Sequence, residues 1–332
     1  MMLGQQCVIL KKQMLLNMKG KILFIIFFVL SYSCEDSGSD ESNNVADGEC
    51  NELIAVDSSR GDCSETLSAS SEFSVTTSGD LRKITANNIP AHNVGLFGNS
   101  TGALNPNSIT EQNSSYDIDL TPSKANVKTQ LLNNGPSYSF GVLLNGVEVD
   151  PVAAEPWPHT KPVTNSHNWD WNLEATMVDI GLDCNTAHVQ PTGKYHYHGV
   201  PKLYLESITS NSNAILHVGW AADGYPIYYA YGYSTANDNS SSVKTLSSSY
   251  RLKSGDRPGD GDSAPCGSYT GVYSGDYEFV DDLGDLDECN GREGVTPEFP
   301  EGTYYYVITN EFPGVPRCFV GTPSSDFKIG PG

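Results

Sequence analysis

Positive charge is scarce in this chain: 19 lysines and arginines stand against 40 aspartates and glutamates in 332 residues, a formal net charge of −21. That acid excess opposes binding to phosphate backbones and anionic membrane surfaces, so nucleic acid is not an expected partner. Long hydrophobic runs are missing too. The run "ILFIIFFVL" (Ile22 to Leu30) is short beside the roughly 20 apolar residues of a membrane-spanning helix. There is no GxSxG elbow, phosphate loop or dinucleotide fingerprint, which removes the commonest enzyme classes. Helical periodicity is weak, and "NLEATMVDIGLD" (172–183) is the best candidate for a turn or two of helix.

What the chain does contain is 18 Tyr, 32 Gly, 19 Pro and abundant Ser, Asn and Thr, the composition of short strands joined by turns. In "YSFGVLLNGVEVDPVAAEPW" and "NAILHVGWAADGYPIYYAYGY", apolar runs flank Asn145-Gly146 and Asp223-Gly224, which predicts hairpins. The expected fold is mostly β: an antiparallel, sandwich-like single main domain with long loops and little helix. The polar stretch Ser240 to Gly267 is expected to be a long surface loop.

The first residues carry an address. Lys19 and Lys21 precede the apolar run, and "SYSC" follows it, the order of an export signal. Residues 1–33 are therefore expected to be a signal peptide, with Met18 an alternative start that leaves residues 1–17, Cys7 among them, untranslated. "LSYSC" resembles a bacterial lipoprotein box apart from Tyr32, which makes Cys34 the candidate lipid anchor. A membrane contact is expected through that anchor only, with the protein exported to the cell envelope or outer surface. Residues 34–65 are expected to form an acidic tether and a small cysteine-bounded loop. Residues 66–125 form a Ser, Thr and Asn-rich β segment, either separate from or part of the main domain at 126–327.

Cys50, Cys63, Cys184, Cys266, Cys289 and Cys318 are an even set in an exported chain, which argues for disulfides. The short local loop favours Cys50 with Cys63, and Cys184, Cys266, Cys289 and Cys318 are expected to make two bridges within the domain. No CxxC spacing supports thiolate metal ligation.

The motifs "LDCNTAHVQPTGKYHYHGVP", "GWAADGYPIYYAYG", "LDECNGREGVTPEFPEGTYYYVITNEF" and "PRCFVGTP" together resemble the YHYH protein family over roughly 130–325. Tyr229 and Glu293 depart from the family pattern, at positions that touch substrate shape more than fold. The resemblance implies a domain and the location of its working end, and it implies no particular reaction.

Chemistry must come from few histidines: positions 92, 159, 167, 188, 196, 198 and 217. On a strand, residues two apart share a face, so His196 and His198 project together roughly 6.5–7 Å apart along the chain, with Tyr195 and Tyr197 behind them. His188 lies across "QPTG", a turn that can return the chain beside that strand and supply a third ligand. Three imidazoles suit zinc or copper better than calcium or magnesium. Metal-free acid–base chemistry oriented by Asp183, Asp223 or a tyrosine, and plain packing of a half-buried strand, are the alternatives. His217, amid apolar residues, reads as a core histidine.

Asp223 is a candidate carboxylate near the site, and Arg292 and Arg317 are candidate clamps for an anionic substrate or structural ion pairs. The acidic stretches "VDDLGDLDECNGREG" and "GDRPGDGDS" leave calcium a lesser possibility. Trp157, Trp169 and Trp171 could form a sugar-stacking platform or core. Two functions of different kind remain: a metal-dependent hydrolase or redox protein, and a surface module binding a glycan, a small molecule or a protein without catalysis.

Overall fold

The computed structural model describes residues 54–211 and 213–329. Its largest element is an eight-stranded sheet. In spatial order its strands are Gly291–Gly294, Thr303–Ile308, Pro226–Tyr229, Leu216–Ala221, Gly141–Leu143, Glu148–Val149, Tyr195–Tyr197 and Ala187–Val189. The apolar run "YYYVI" in Thr303–Ile308 is buried at every position, as expected of a strand covered on both faces. Both expected hairpins form. Gly146 and Gly224 take positive φ values of 79° and 95°, a region that glycine enters without steric cost.

The sheet is mixed rather than wholly antiparallel. Pro226–Tyr229 runs parallel to Thr303–Ile308, and Glu148–Val149 runs parallel to Tyr195–Tyr197. Parallel neighbours need a long crossover, and the chain between Val149 and Tyr195 supplies one. A three-stranded antiparallel sheet, Phe73–Ser78, Leu81–Ala86 and Ser114–Asp119, adds a second layer. Its Ile84, Tyr116 and Ile118 share one core with Phe140, Val142, Tyr197, Tyr306 and Phe327. The Tyr116 and Phe327 rings stack with centroids 4.4 Å apart. The mostly-β, sandwich-like reading with little helix therefore holds, and the Ser, Thr and Asn-rich segment contributes directly to the main core.

Three expectations need correction. The helix lies at Lys202–Ile208 rather than at 172–183. In the latter segment Leu173 and Glu174 donate their amides to Glu155 and Val272, while Leu173, Ala175 and Val178 enter a second core with Trp157 and Tyr273. Backbone bonds to distant segments replace the helical ladder. Lys202–Ile208 instead gains a donor match from afar, because the Leu203 amide donates to the Asn185 side chain at 2.9 Å. This satisfies one of the orphan amides of a helix start.

The stretch Ser240 to Gly267 is not a bare loop. It contains Val243–Thr245 and Tyr250–Leu252, which pair with Tyr231–Tyr233 and Tyr277–Phe279. Leu246 is buried with Tyr228, Leu286 and Tyr305, and Arg257 forms a buried ion pair with Asp276 at 2.7 Å. The disulfides also pair differently. Cys63 joins Cys184 and Cys289 joins Cys318, so the Cys50 with Cys63 assignment fails and only one of the two expected internal bridges forms within that set of four. Cys266 is disulfide-bonded as well, and Cys50 lies outside the described residues. Local loop length misled because a cross-link needs Cα atoms within about 7 Å in space, whatever their separation in sequence. Backbone bonds from Asp57 to Met177 and from Gly61 to Leu182 lay the segment before Cys63 along the domain.

Candidate metal centre

The strands Ala187–Val189 and Tyr195–Tyr197 form the far edge of the main sheet, joined by the turn at Pro191 to Gly193. Gly193 takes φ +85° there, and the turn closes through Gly193 N to Gln190 O at 2.8 Å. This register sets His188 directly opposite His196, so cross-strand partners and strand alternation deliver three imidazoles to one face. Their tips meet: His198 Nε2 lies 2.9 Å from His196 Nε2 and 3.1 Å from His188 Nε2. Three nitrogens on a tetrahedral zinc ion stand about 3.3 Å apart, given zinc–nitrogen bonds of roughly 2.0–2.1 Å.

The hydrogen positions follow from the partners. His188 Nδ1 faces the Ile180 carbonyl at 2.9 Å, and His196 Nδ1 faces the Lys194 carbonyl at 3.4 Å. A carbonyl only accepts, so both Nδ1 atoms carry hydrogen and both Nε2 atoms present lone pairs. His198 has one ring hydrogen and can donate it to only one of these neighbours. Burial holds His196 and His198 well below the ordinary histidine range, and it lowers His188 too, against the opposing Ile180 carbonyl. The three facing nitrogens thus hold more lone pairs than protons in a buried setting, which a cation resolves.

The opposite face is phenolic packing. Tyr195 and Tyr197 are fully buried. Tyr195 donates to Asp183 at 2.8 Å, while Tyr197 donates to His92 Nε2 at 2.6 Å and accepts from Asn145 at 2.8 Å. Asp183 therefore serves Tyr195 and the Gly95 amide, not an imidazole.

Among the described residues, His188, His196 and His198 are the group of metal-ligating side chains brought within ligand spacing. A family model described as YHYH protein matches residues 115–321, more than half of the chain. The chain belongs to the YHYH family. No curated protein and no solved structure matches it. In this YHYH protein the motif is Tyr195 to His198, with the tyrosines in the core and the histidines at the site.

The other candidates lie elsewhere. Asp223 is buried in its hairpin, accepting from Tyr306 at 2.6 Å and from the Gly321 amide at 2.9 Å. Burial pushes its carboxyl up to about 6, and it serves the hairpin rather than the histidines. Arg292 donates to Tyr305 at 2.6 Å and to the Tyr233 carbonyl at 2.8 Å. Arg317 binds Glu174 with bonds of 2.8 and 3.0 Å and reaches the Pro151 carbonyl at 2.7 Å. It is an ion pair beside the site, since its charge and the Pro151 carbonyl both act on His198. His217 donates to the Gly219 carbonyl at 2.9 Å and packs on Trp220, away from the triad. Tyr229 bonds Asn310, and Glu293 pairs with Lys124.

Glu148 and Asp150 escaped sequence reading. The signal was "VEVD", in which two carboxylates alternate with buried valines. Burial, reinforced by the charge of Glu148, pushes the Asp150 carboxyl up to about 7, and its Oδ1 is buried without a hydrogen-bond partner.

The depressed histidines give a pH dependence for the metal-free protein. Below the ordinary histidine pKa the unfolded chain binds protons that the folded imidazoles refuse, so stability present above about pH 6.5 is lost as pH falls. His198→Phe cannot take up that proton in either state. In urea titrations between pH 6.5 and 5, the metal-free parent should lose about 1 kcal/mol per pH unit relative to His198→Phe. Parallel pH profiles would show that His198 is not held neutral.

Proposed function

We propose that this YHYH protein is an exported metal protein that binds one zinc or copper ion through His188, His196 and His198 and keeps a fourth position for a ligand from solution. The observation that carries the reading is the convergence of three Nε2 atoms whose lone pairs outnumber their protons. Zinc in such a site supplies activated water for hydrolysis, and copper supplies electron-transfer chemistry. Export is supported by the disulfides, which persist in oxidising compartments. The anchor at Cys34 belongs to the same proposal and lies outside the described residues. No helix among the described residues is long and apolar enough to cross a membrane.

A specific feature favours glycan binding as a second reading. A cavity of about 960 Å³ is lined by Trp169, His167, Asn134, Lys161 and Lys328. Its platform is narrower than three tryptophans. Trp169 and Trp171 sit on a 3₁₀ turn rather than a strand face, Trp171 packs against Tyr273, and Trp157 is buried with its indole N–H on the Asp262 carbonyl.

One preparation separates the two readings. Mature protein purified from the cell envelope without chelators should contain about one equivalent of zinc or copper by elemental analysis. Metal content near zero, even after incubation with either ion, would refute the metal reading. Glycan-array binding that persists after chelation and disappears in Trp169→Ala would make the groove the functional surface.

A further inference from the structure

The triad strands have a third neighbour. Glu148–Val149 runs parallel to Tyr195–Tyr197, with Glu148 opposite His196 and Val149 opposite Tyr197. The Asp150 amide continues the ladder by donating to the Tyr197 carbonyl at 2.8 Å. Register partners share a face and successive residues alternate. Val149 therefore enters the core with Tyr197, while Glu148 and Asp150 project on the histidine face.

Two side-chain contacts place these carboxylates there independently. Gln190, two residues after His188, donates from Nε2 to Asp150 Oδ2 at 3.4 Å. Lys194, two residues before His196, donates to Glu148 at 2.9 and 3.0 Å. Asp150 also shares its electrostatic neighbours with the triad: Lys194 acts on Asp150 and His196, and Arg317 acts on Asp150 and His198.

Asp150 is 5% exposed; the Val152 amide acts on its carboxylate, yet its Oδ1 is buried without a hydrogen bond of normal geometry. A buried carboxylate oxygen left without a hydrogen bond is costly, so such an atom facing a ligand site is an acceptor waiting for a donor. It does not join the three imidazoles within ligand spacing, which sets it behind the ion rather than on it. The adjacent cations are already engaged, Lys194 by Glu148 and Arg317 by Glu174. Among the described residues the site thus offers an incompletely satisfied acceptor, while the two adjacent cations are already committed.

Resting on the metal reading, we infer that Asp150 is the hydrogen-bond acceptor for a neutral, protic ligand, water or an alcohol, held in the fourth position of the triad's ion. That assigns the site to chemistry in which a proton leaves the bound ligand toward a carboxylate, the requirement of hydrolysis.

Cobalt(II) and azide test this without any assumed substrate. Full-length mature parent, Asp150→Asn and Asp150→Glu are loaded with cobalt(II), and azide is titrated by visible absorption at one pH. All three should hold one cobalt per chain. Azide should bind Asp150→Asn about tenfold more tightly than the parent, because the carboxylate that repels the anion and retains the protic ligand is gone. Asp150→Glu should stay near the parent, an outcome that a purely structural role would not give. Equal azide affinity in parent and Asp150→Asn overturns the inference, as does loss of cobalt from Asp150→Asn alone, which would make Asp150 a ligand. Failure of the parent to take up cobalt refutes the metal reading instead. If circular dichroism shows Asp150→Asn unfolded, Asp150→Ser, smaller and equally neutral, carries the same comparison.

Discussion

His196→Ala and His198→Ala will each abolish stoichiometric metal binding, and Tyr197→Phe will keep it. The histidines supply two of three converging Nε2 atoms, and two remaining nitrogens do not define a tetrahedral site. A ligand present at a thousandfold excess over its dissociation constant stabilises the folded state by about 4 kcal/mol. The parent should therefore show a large rise in urea midpoint on adding zinc, and the two histidine variants almost none. Tyr197→Phe works through the other face: it removes a hydroxyl that His92 and Asn145 both engage, at a cost of about 1–3 kcal/mol, and retains the zinc response. Equal zinc responses in all three variants would make the alternating motif a packing device.

Arg317→Met will strongly destabilise the fold. Glu174 is 1% exposed in its side chain and takes both of its charged hydrogen bonds from Arg317 Nη2. Removing one partner of a buried ion pair strands the other charge and costs about 3–5 kcal/mol. The urea midpoint should fall accordingly, and Arg317→Met with Glu174→Leu should recover much of the loss because no charge is then left buried. Normal stability of Arg317→Met would return this arginine to the role of an anion clamp.

Much of the site follows from rules that act over a few residues. Strand alternation puts His196 and His198 on one face and Tyr195 and Tyr197 on the other, because successive side chains of a pleated strand point oppositely. The Pro191 to Gly193 turn fixes His188 opposite His196, since Gly193 admits a positive φ that other residues avoid. Asn145-Gly146 and Asp223-Gly224 declare their hairpins for the same reason. The failed helix at 172–183 shows the limit of such rules: its amides found Glu155 and Val272, partners that local propensity does not contain.

The sequence by itself determined the β class, the hairpins and the three-histidine face, all of which depend on backbone sterics and period-two alternation between near neighbours. Only the tertiary structure decided that Cys63 bonds to Cys184 across 121 residues, that Asp223 belongs to a hairpin while Asp150 belongs to the histidine face, and that Arg317 reaches Glu174. These depend on which strands lie side by side after long crossovers. The free energy that selects those neighbours comes from burying a shared core, a property of the folded chain as a whole and of no short segment within it.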